Sequence, residues 1–142
     1  MSDEKIAVVT GGNKGIGKEV CRQLATKGIR VVLTARDEGR GKTAIEELKA
    51  ASAETIFHPL DVTSPESIDK LGTFIEREFG HLDILVNNAA IRTDQGTRGE
   101  DVSIDTLREM MEANVYGPLA VCQRLIPLLK KSAAGRILNF SS

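Results

Sequence analysis

The amino-acid sequence predicts an α/β fold with one doubly wound parallel sheet and helices on both of its faces. Three observations support this prediction. Short apolar segments alternate five times with helical segments, the first apolar segment runs into a glycine-rich turn, and no repeat or linker divides the 142 residues. Such alternation gives parallel strands joined by right-handed crossovers. We therefore expect one domain over residues 1–142, with strand order 3-2-1-4-5.

The first two strand–helix units occupy the N-terminal third of the chain. Their strands are almost wholly apolar, as expected of parallel strands that are buried on both faces. The first helix has apolar residues at four-residue spacing and stops at Gly28, while Asp37 is a suitable N-cap for the second. In order, the predicted elements are strand Ile6–Val9, a helix with the apolar face Ile16, Val20 and Leu24, strand Arg30–Thr34, and a helix over residues 37–51.

Three strands and two helical segments follow. Ser64 and Pro65 suit the N-cap and first position of the third helix, and Gly80 ends it. The last helical segment is long, and we expect a bend or break near Gly117-Pro118 or at Pro127. In order, the predicted elements are strand Glu54–Leu60, a helix with the stripe Ile68, Leu71, Ile75 and Phe79, strand Leu82–Val86, an exposed loop over 91–101, a helix over 104–131, and strand Arg136–Phe140.

Composition and charge argue against several classes of function. Lys and Arg total 19 against 20 Asp and Glu, so the sequence lacks the basic excess of a nucleic-acid-binding protein. No apolar run approaches the roughly 20 residues of a membrane span, and we expect a cytoplasmic protein. Cys21, Cys122, His58 and His81 show no metal-ligand spacing, so we expect no metal site.

Four glycines separate the first strand from the first helix: Gly11, Gly12, Gly15 and Gly17. A glycine-rich turn brings bare backbone close to a ligand, and the N-terminus of the following helix attracts an anion. The spacing from Thr10 is Thr-Gly-x-x-x-Gly-x-Gly, which differs from the commonest dinucleotide-binding pattern. The alternative is a glycine-rich turn that only joins strand to helix.

This stretch, TGGNKGIG, resembles the cofactor loop of the short-chain dehydrogenase/reductase family, and especially of its carbonyl-reductase-type members. Further motifs follow in the family's order, so the resemblance covers essentially the whole chain. It implies a Rossmann fold of which this is the N-terminal part, with the later strands missing. It also implies an oxidoreductase that interconverts a small-molecule carbonyl and an alcohol by hydride transfer.

The residues that follow the second predicted strand favour NADP(H) as the cofactor. Arg36 stands where an NAD site is expected to carry an acid, and its guanidinium suits a phosphate. Lys14 could add a second cation, although both residues could be solvated surface charges. Asp37 could instead bind the ribose hydroxyls of NAD, but we interpret it as a helix N-cap.

The resemblance implies roles for further residues. Asp61 and Val62 would border the adenine, Asn87 would be structural, and Asn88 would lie near the cofactor. Ala90 departs from the glycine that is usual in the family. The full set of expected cofactor-binding residues is Gly11, Asn13, Lys14, Gly15, Ile16, Gly17, Arg36, Asp61, Val62, Asn88 and Ala89.

Two residues match catalytic positions of the family. Asn114 would hold a water in the proton relay, and Ser142 would hold the substrate carbonyl oxygen. The family's proton donor is a Tyr with a Lys four residues later, and no such pair occurs here, because Tyr116 is followed at that spacing by Ala120. We therefore expect this chain to be inactive alone.

Other functions remain to be weighed against the reductase. A non-catalytic NADP(H)-binding module stays open as the alternative. A nucleoside-dependent methyltransferase is disfavoured by Arg36, and a receiver domain by glycines where carboxylates are needed. The outer edge of strand five carries Ile137, Leu138 and Phe140, so self-association through this edge is possible.

Overall fold

The computed structural model describes residues 4–13, 15–88 and 99–140. The strands are β1 Ile6–Val9, β2 Arg30–Ala35, β3 Ile56–Pro59, β4 Ile84–Asn87 and β5 Arg136–Asn139. The helices are α1 Gly15–Thr26, α2 Glu38–Ala50, α3 Pro65–Glu78, α4 Ile104–Met111 and α5 Gly117–Leu129. A short 3₁₀ helix spans Gly99–Asp101, and a π-helical turn spans Glu112–Tyr116 between α4 and α5.

The five strands form one parallel sheet in the order β3-β2-β1-β4-β5, which confirms the predicted topology. β1 pairs with β2 and β4, with Ala7 opposite Val31 on one side and Ile84 on the other. The strand order reverses at β1, because β2 and β3 lie on one side of it and β4 and β5 lie on the other. The crevice at the carboxyl ends of β1 and β4 is therefore a topological switch point. Ligands of doubly wound folds bind at such a point.

Two apolar layers cover the sheet. On one face, α1 and α2 pack through Cys21, Ala44 and Leu48 against β1 and β2. On the other, α3 and α5 bury Leu71, Ile75, Val121 and Leu125. All four residues of β1 are buried, as its apolar sequence predicts.

The predicted N-caps of two helices are confirmed. Asp37 Oδ1 accepts a hydrogen bond from the Arg40 N–H at 2.9 Å, and Ser64 Oγ accepts one from the Ser67 N–H at 3.2 Å. The carboxylate of Asp37 therefore caps the first turn of α2.

Several boundaries and one core residue differ from the predictions. β3 is shorter than predicted, and β4 begins two residues later than predicted and includes Asn87. Ile16 was predicted to lie on the buried face of α1, but it is 65% exposed, because the first turn packs against the loop through Gly17 and the helix buries Gly17 and Cys21 instead. Of the predicted loop, residues 99–101 form the 3₁₀ helix, and the remainder lies outside the described residues.

The long helical segment is interrupted as predicted, but by a π-helical turn just before Gly117. A Cβ at Gly117 would lie 2.8 Å from both Val62 Cγ2 and Val62 O, so only glycine allows this approach. Pro127 lies on the exposed side of α5 without ending it.

None of the helices in the described ranges is long and apolar enough to cross a membrane. Among the same residues, no group of three or more His, Cys, Asp or Glu side chains is placed to hold a metal ion.

Candidate functional site

The glycine loop lies at the switch point, between the carboxyl end of β1 and the start of α1. Gly11 and Gly15 have φ values of 62° and 59°, in the left-handed region that glycine adopts without strain. The loop is tied to both neighbouring strands, because the Thr10 N–H donates to Val86 O at 3.0 Å and the Gly12 N–H donates to Thr34 O at 2.9 Å. The backbone of the loop is therefore held in place by the sheet.

Two glycines of the loop are required by packing. A Cβ at Gly12 would lie 2.8 Å from Leu33 Cγ and 3.0 Å from Cys21 Sγ, and a Cβ at Gly17 would lie 2.5 Å from Gly11 O and collide with Asn88 Nδ2. Burial raises the pKa of the Cys21 thiol to about 12. This cysteine is therefore a packing residue beneath the loop and not a nucleophile at neutral pH.

Asn88 joins the end of β4 to the loop. Its backbone N–H donates to Thr10 Oγ1 at 2.9 Å, and its side-chain Nδ2 donates to Gly11 O at 3.1 Å. These contacts bring together the predicted residues Gly11, Gly17 and Asn88. The neighbouring prediction, Ala89, lies outside the described residues, as does Lys14.

Asn87 is buried, and its side chain points in the opposite direction from that of Asn88. Its Nδ2 donates to Asn139 Oδ1 at 2.9 Å and contacts Cys122 Sγ at 3.2 Å, and its backbone O accepts the Phe140 N–H at 3.1 Å. These contacts fasten the end of β5 to the end of β4 and agree with a structural role. Ser142, predicted as catalytic, follows β5 but lies outside the described residues.

Arg36 and Asp61 follow β2 and β3 at the same edge of the sheet. Asp61 Oδ1 accepts hydrogen bonds from Thr63 Oγ1 at 2.6 Å and from the Thr63 N–H at 2.9 Å. The hydrogen bond from the Thr63 hydroxyl lowers the pKa of Asp61 most, the Thr63 N–H and the charge of Arg36 lower it further, and burial opposes them. Asp61 is therefore an ionised acceptor close to a cation.

A shallow depression adjoins the glycine loop on the β2 side. Its lining residues are Asn13, Asp37, Gly39, Arg40, Thr43 and Glu47. Arg40 was not among the residues that the sequence predicted, although it lies only four residues after Arg36 in the sequence. The signal that could have identified Arg40 is a basic residue in the first turn of the helix that follows β2.

Asn114 lies in the π-helical turn and is partly buried. Single π-turns occur frequently at functional sites. The turn is held close to the strand-three end by the contact between Gly117 and Val62. The structure thus brings Val62 near the helical segment that carries Asn114.

The residues 5–142 match the family model described as short chain dehydrogenase. Among curated proteins, the chain is similar to (+)-neomenthol dehydrogenase of Arabidopsis thaliana, at 46% identity over 100% of this chain and 55% of the relative. It is also similar to carbonyl reductase [NADPH] 1 of Mus musculus, at 43% identity over 99% of this chain and 50% of the relative. The chain thus spans about half the length of the curated relatives it matches.

Solved structures show the same similarity. The menthone neomenthol reductase of Mentha piperita matches with a TM-score of 0.89 and 36% identity over 99% of this chain and 61% of that chain. An actinorhodin polyketide ketoreductase solved with NADPH matches with a TM-score of 0.90 and 31% identity over 99% of this chain and 54% of that chain.

Proposed function

The chain belongs to the short-chain dehydrogenase family, and we propose that it is the dinucleotide-binding part of an NADP(H)-dependent oxidoreductase that interconverts a carbonyl and an alcohol. The observation that carries the proposal is the loop geometry, in which Gly11, Gly17 and Asn88 meet at the switch point of the sheet. The names of its relatives support this reaction class, since they include a carbonyl reductase [NADPH] and a (+)-neomenthol dehydrogenase.

Within this proposal, the pyrophosphate of the cofactor lies against the glycine loop and the first turn of α1. Backbone N–H groups at a helix N-terminus and the helix dipole both favour an anion there. Asn13, Gly15 and Ile16 form the rim of this site, and the exposure of Ile16 suits a residue that covers a ligand. Lys14 and Ala89 complete the proposed set.

We assign the selectivity for NADP(H) to Arg36, with Lys14 and Arg40 as additional cations. A guanidinium binds a phosphate through paired, charge-assisted hydrogen bonds. Asp37, the acid that could favour NAD, already accepts the Arg40 N–H as a helix N-cap. Its use within the helix favours the phosphate-binding interpretation.

Asp61 and Val62 are proposed to border the adenine. Asp61 Oδ1 accepts both hydrogen bonds from Thr63, and among the described residues no hydrogen bond reaches Oδ2. The exocyclic amine of adenine is a donor that suits this oxygen. Val62 provides an apolar surface between this acceptor and Gly117.

The catalytic roles of Ser142 and Asn114 are likewise proposed. Ser142 would hold the substrate oxygen and Asn114 a water. Because the 142 residues contain no Tyr followed four residues later by Lys, we expect them to show little or no turnover alone. A non-catalytic NADP(H)-binding module is the alternative function that the sequence left open.

An activity assay and a binding measurement test the proposed inactivity and the proposed cofactor site. Purified protein is tested for NADPH oxidation with a panel of ketones and aldehydes, and NADPH binding is titrated in the same preparation. Saturable binding without turnover is expected. Robust turnover would contradict the proposed inactivity, while the absence of binding by folded protein would contradict the cofactor site itself.

Self-association through β5 is also proposed. All four residues of β5 are exposed, and among the described residues β5 pairs only with β4. Ile137 and Leu138 are 41% and 45% exposed on opposite faces of this edge. We expect a second copy of the chain to pair with this edge. Sedimentation velocity should then show oligomers whose fraction rises with protein concentration, and Ile137→Lys should abolish them. A monomer at all concentrations would contradict the proposal.

A further inference from the structure

Thr34 lies near the carboxyl end of β2 and is completely buried. The three residues before it are buried and apolar, so a valine would be the expected residue at this position. A buried hydroxyl destabilises the fold unless it forms a hydrogen bond. Within the described ranges, the buried polar side chains are Thr10, Thr34 and Asn87, which lie at the carboxyl ends of β1, β2 and β4.

The hydroxyl of Thr34 has a defined partner at the start of the glycine loop. Its Oγ1 donates a hydrogen bond to Val9 O at 3.0 Å, and the backbone carbonyl oxygen of Thr34 accepts the Gly12 N–H at 2.9 Å. Val9 is the last residue of β1, and Gly12 follows Gly11, which has a positive φ. Thr34 therefore joins the residue before the turn to a residue after it.

The position of Thr34 in the sheet explains these two contacts. The pairing of β1 with β2 ends at Val9, which lies opposite Leu33. Thr34 is the next residue of β2, so it lies beside the point at which the chain leaves β1 and enters the loop. On its other side, Thr34 pairs with His58 of β3. Thr34 can hold the loop because two neighbouring strands hold Thr34.

The loop needs contacts of this kind because glycine has wide conformational freedom and no side chain that could anchor it. On the β4 side, Asn88 Nδ2 donates to Gly11 O at 3.1 Å. On the β2 side, Thr34 contacts Val9 and Gly12, which flank the same turn. The conformation of the loop is thus fixed from both sides of β1.

We propose that Thr34 is a positioning residue of the cofactor site, whose hydroxyl holds the start of the glycine loop in the conformation that receives the dinucleotide. Thr34 acts through Val9 and Gly12 and does not touch the cofactor itself, because its side chain is completely buried. The effect on cofactor binding rests on the proposed function, whereas the effect of the hydroxyl on the loop does not.

Two substitutions separate the hydroxyl from the rest of the side chain. Thr34→Val replaces the hydroxyl by a methyl group, and Thr34→Ser keeps the hydroxyl but loses the methyl group. The dissociation constant of NADPH is expected to rise about three- to tenfold in Thr34→Val, which is the scale of one hydrogen bond, and to stay within about twofold of the wild type in Thr34→Ser. A role in packing alone would make Thr34→Ser the weaker binder, because serine leaves a cavity.

Val31→Ala is the control for a loss of stability that does not involve the loop. Val31 is buried near the amino end of the same strand, where it lies opposite Ala7. Its truncation is expected to lower the midpoint of urea unfolding but to leave the affinity of the folded protein for NADPH within about twofold of the wild type. A loss of affinity equal to that of Thr34→Val would overturn the proposal, because binding would then follow global stability.

Amide hydrogen exchange tests the effect on the loop without the cofactor. The Gly12 N–H is expected to be protected in the wild type and to exchange about three- to tenfold faster in Thr34→Val, while Thr34→Ser stays close to the wild type. If the wild type is folded but does not bind NADPH, the proposed function fails, and this measurement alone decides the role of the Thr34 hydroxyl.

Equal losses of NADPH affinity in Thr34→Val and Thr34→Ser would overturn the proposal, as would unchanged affinity in Thr34→Val when the wild type binds. Unchanged exchange of the Gly12 N–H in Thr34→Val would overturn it as well. If Thr34→Val does not fold, protection of this N–H in both the wild type and Thr34→Ser supports the proposal, and rapid exchange in either protein overturns it.

Discussion

The side-chain Nδ2 of Asn88 donates a hydrogen bond to the carbonyl oxygen of Gly11 at 3.1 Å. This single contact joins the end of β4 to the glycine loop across 77 residues of sequence. The loop therefore keeps its shape through a side chain from another strand, and its geometry depends on the whole central part of the sheet.

Gly17→Ala is expected to weaken NADPH binding at least tenfold. The new Cβ would meet Gly11 O and Asn88 Nδ2, and the helix would have to move away from the loop. Overpacking of this kind costs about 1–3 kcal/mol of folding stability. Isothermal titration and urea unfolding on the same sample check both effects, and unchanged binding would show that the loop does not contact the cofactor.

Arg36→Ala is expected to weaken NADPH binding by about 1–3 kcal/mol and to leave NADH binding nearly unchanged, because a charge-assisted hydrogen bond to the 2′-phosphate is lost. Arg77→Ala is the matched control, since Arg77 is exposed on α3 away from the loop. Fluorescence titration with each cofactor provides the comparison. Equal losses for NADPH and NADH would remove the basis for the proposed selectivity.

Arg40→Ala is expected to produce a smaller loss of NADPH affinity than Arg36→Ala. Arg40 lines the depression that contains Asn13, but its backbone N–H, which caps the helix, is kept in the variant. Folding stability should therefore stay unchanged while affinity falls. A loss of stability without a loss of affinity would assign Arg40 to the fold alone.

Gly117→Ala is expected to destabilise the fold by about 1–3 kcal/mol through the collision with Val62. Val62→Ala in the same chain should recover part of this loss, because it removes Cγ2 but leaves the Val62 carbonyl oxygen, which is equally close. Urea unfolding of the two single variants and the double variant measures this coupling. Strict additivity of the two losses would contradict the contact.

Asp83→Asn is expected to destabilise the fold at neutral pH, and its difference from the wild type should shrink in acid. Burial opposes its ionisation, but the hydrogen bonds from the Ser132 hydroxyl and the Ile6 N–H lower the folded-state pKa of Asp83 from 3.8, so its contribution is present above about pH 4 and is lost as the pH falls through the lower folded value. Unfolding free energies at pH 7 and pH 3 provide the comparison. An undiminished difference at pH 3 would contradict this account.

The sequence predicted the strand order and the identity of every strand, because apolar runs in a parallel sheet carry a strong signal. It did not predict the exposure of Ile16, since helical spacing alone cannot show that Gly17, and not Ile16, packs against the loop in the first turn of α1. The π-helical turn at Glu112–Tyr116 was predicted only as a break near Gly117, because the close approach of Gly117 to Val62 joins residues that are far apart in the sequence. Arg40 was missed for a similar reason, since its place beside Asn13 depends on how α2 packs next to the loop.

The most direct test of the central proposal is a comparison of NADPH and NADH binding by the purified wild-type chain. Isothermal titration is expected to show saturable binding of NADPH to folded protein, at least tenfold tighter than that of NADH. Folded protein that binds neither cofactor, or that binds NADH as tightly as NADPH, would contradict it.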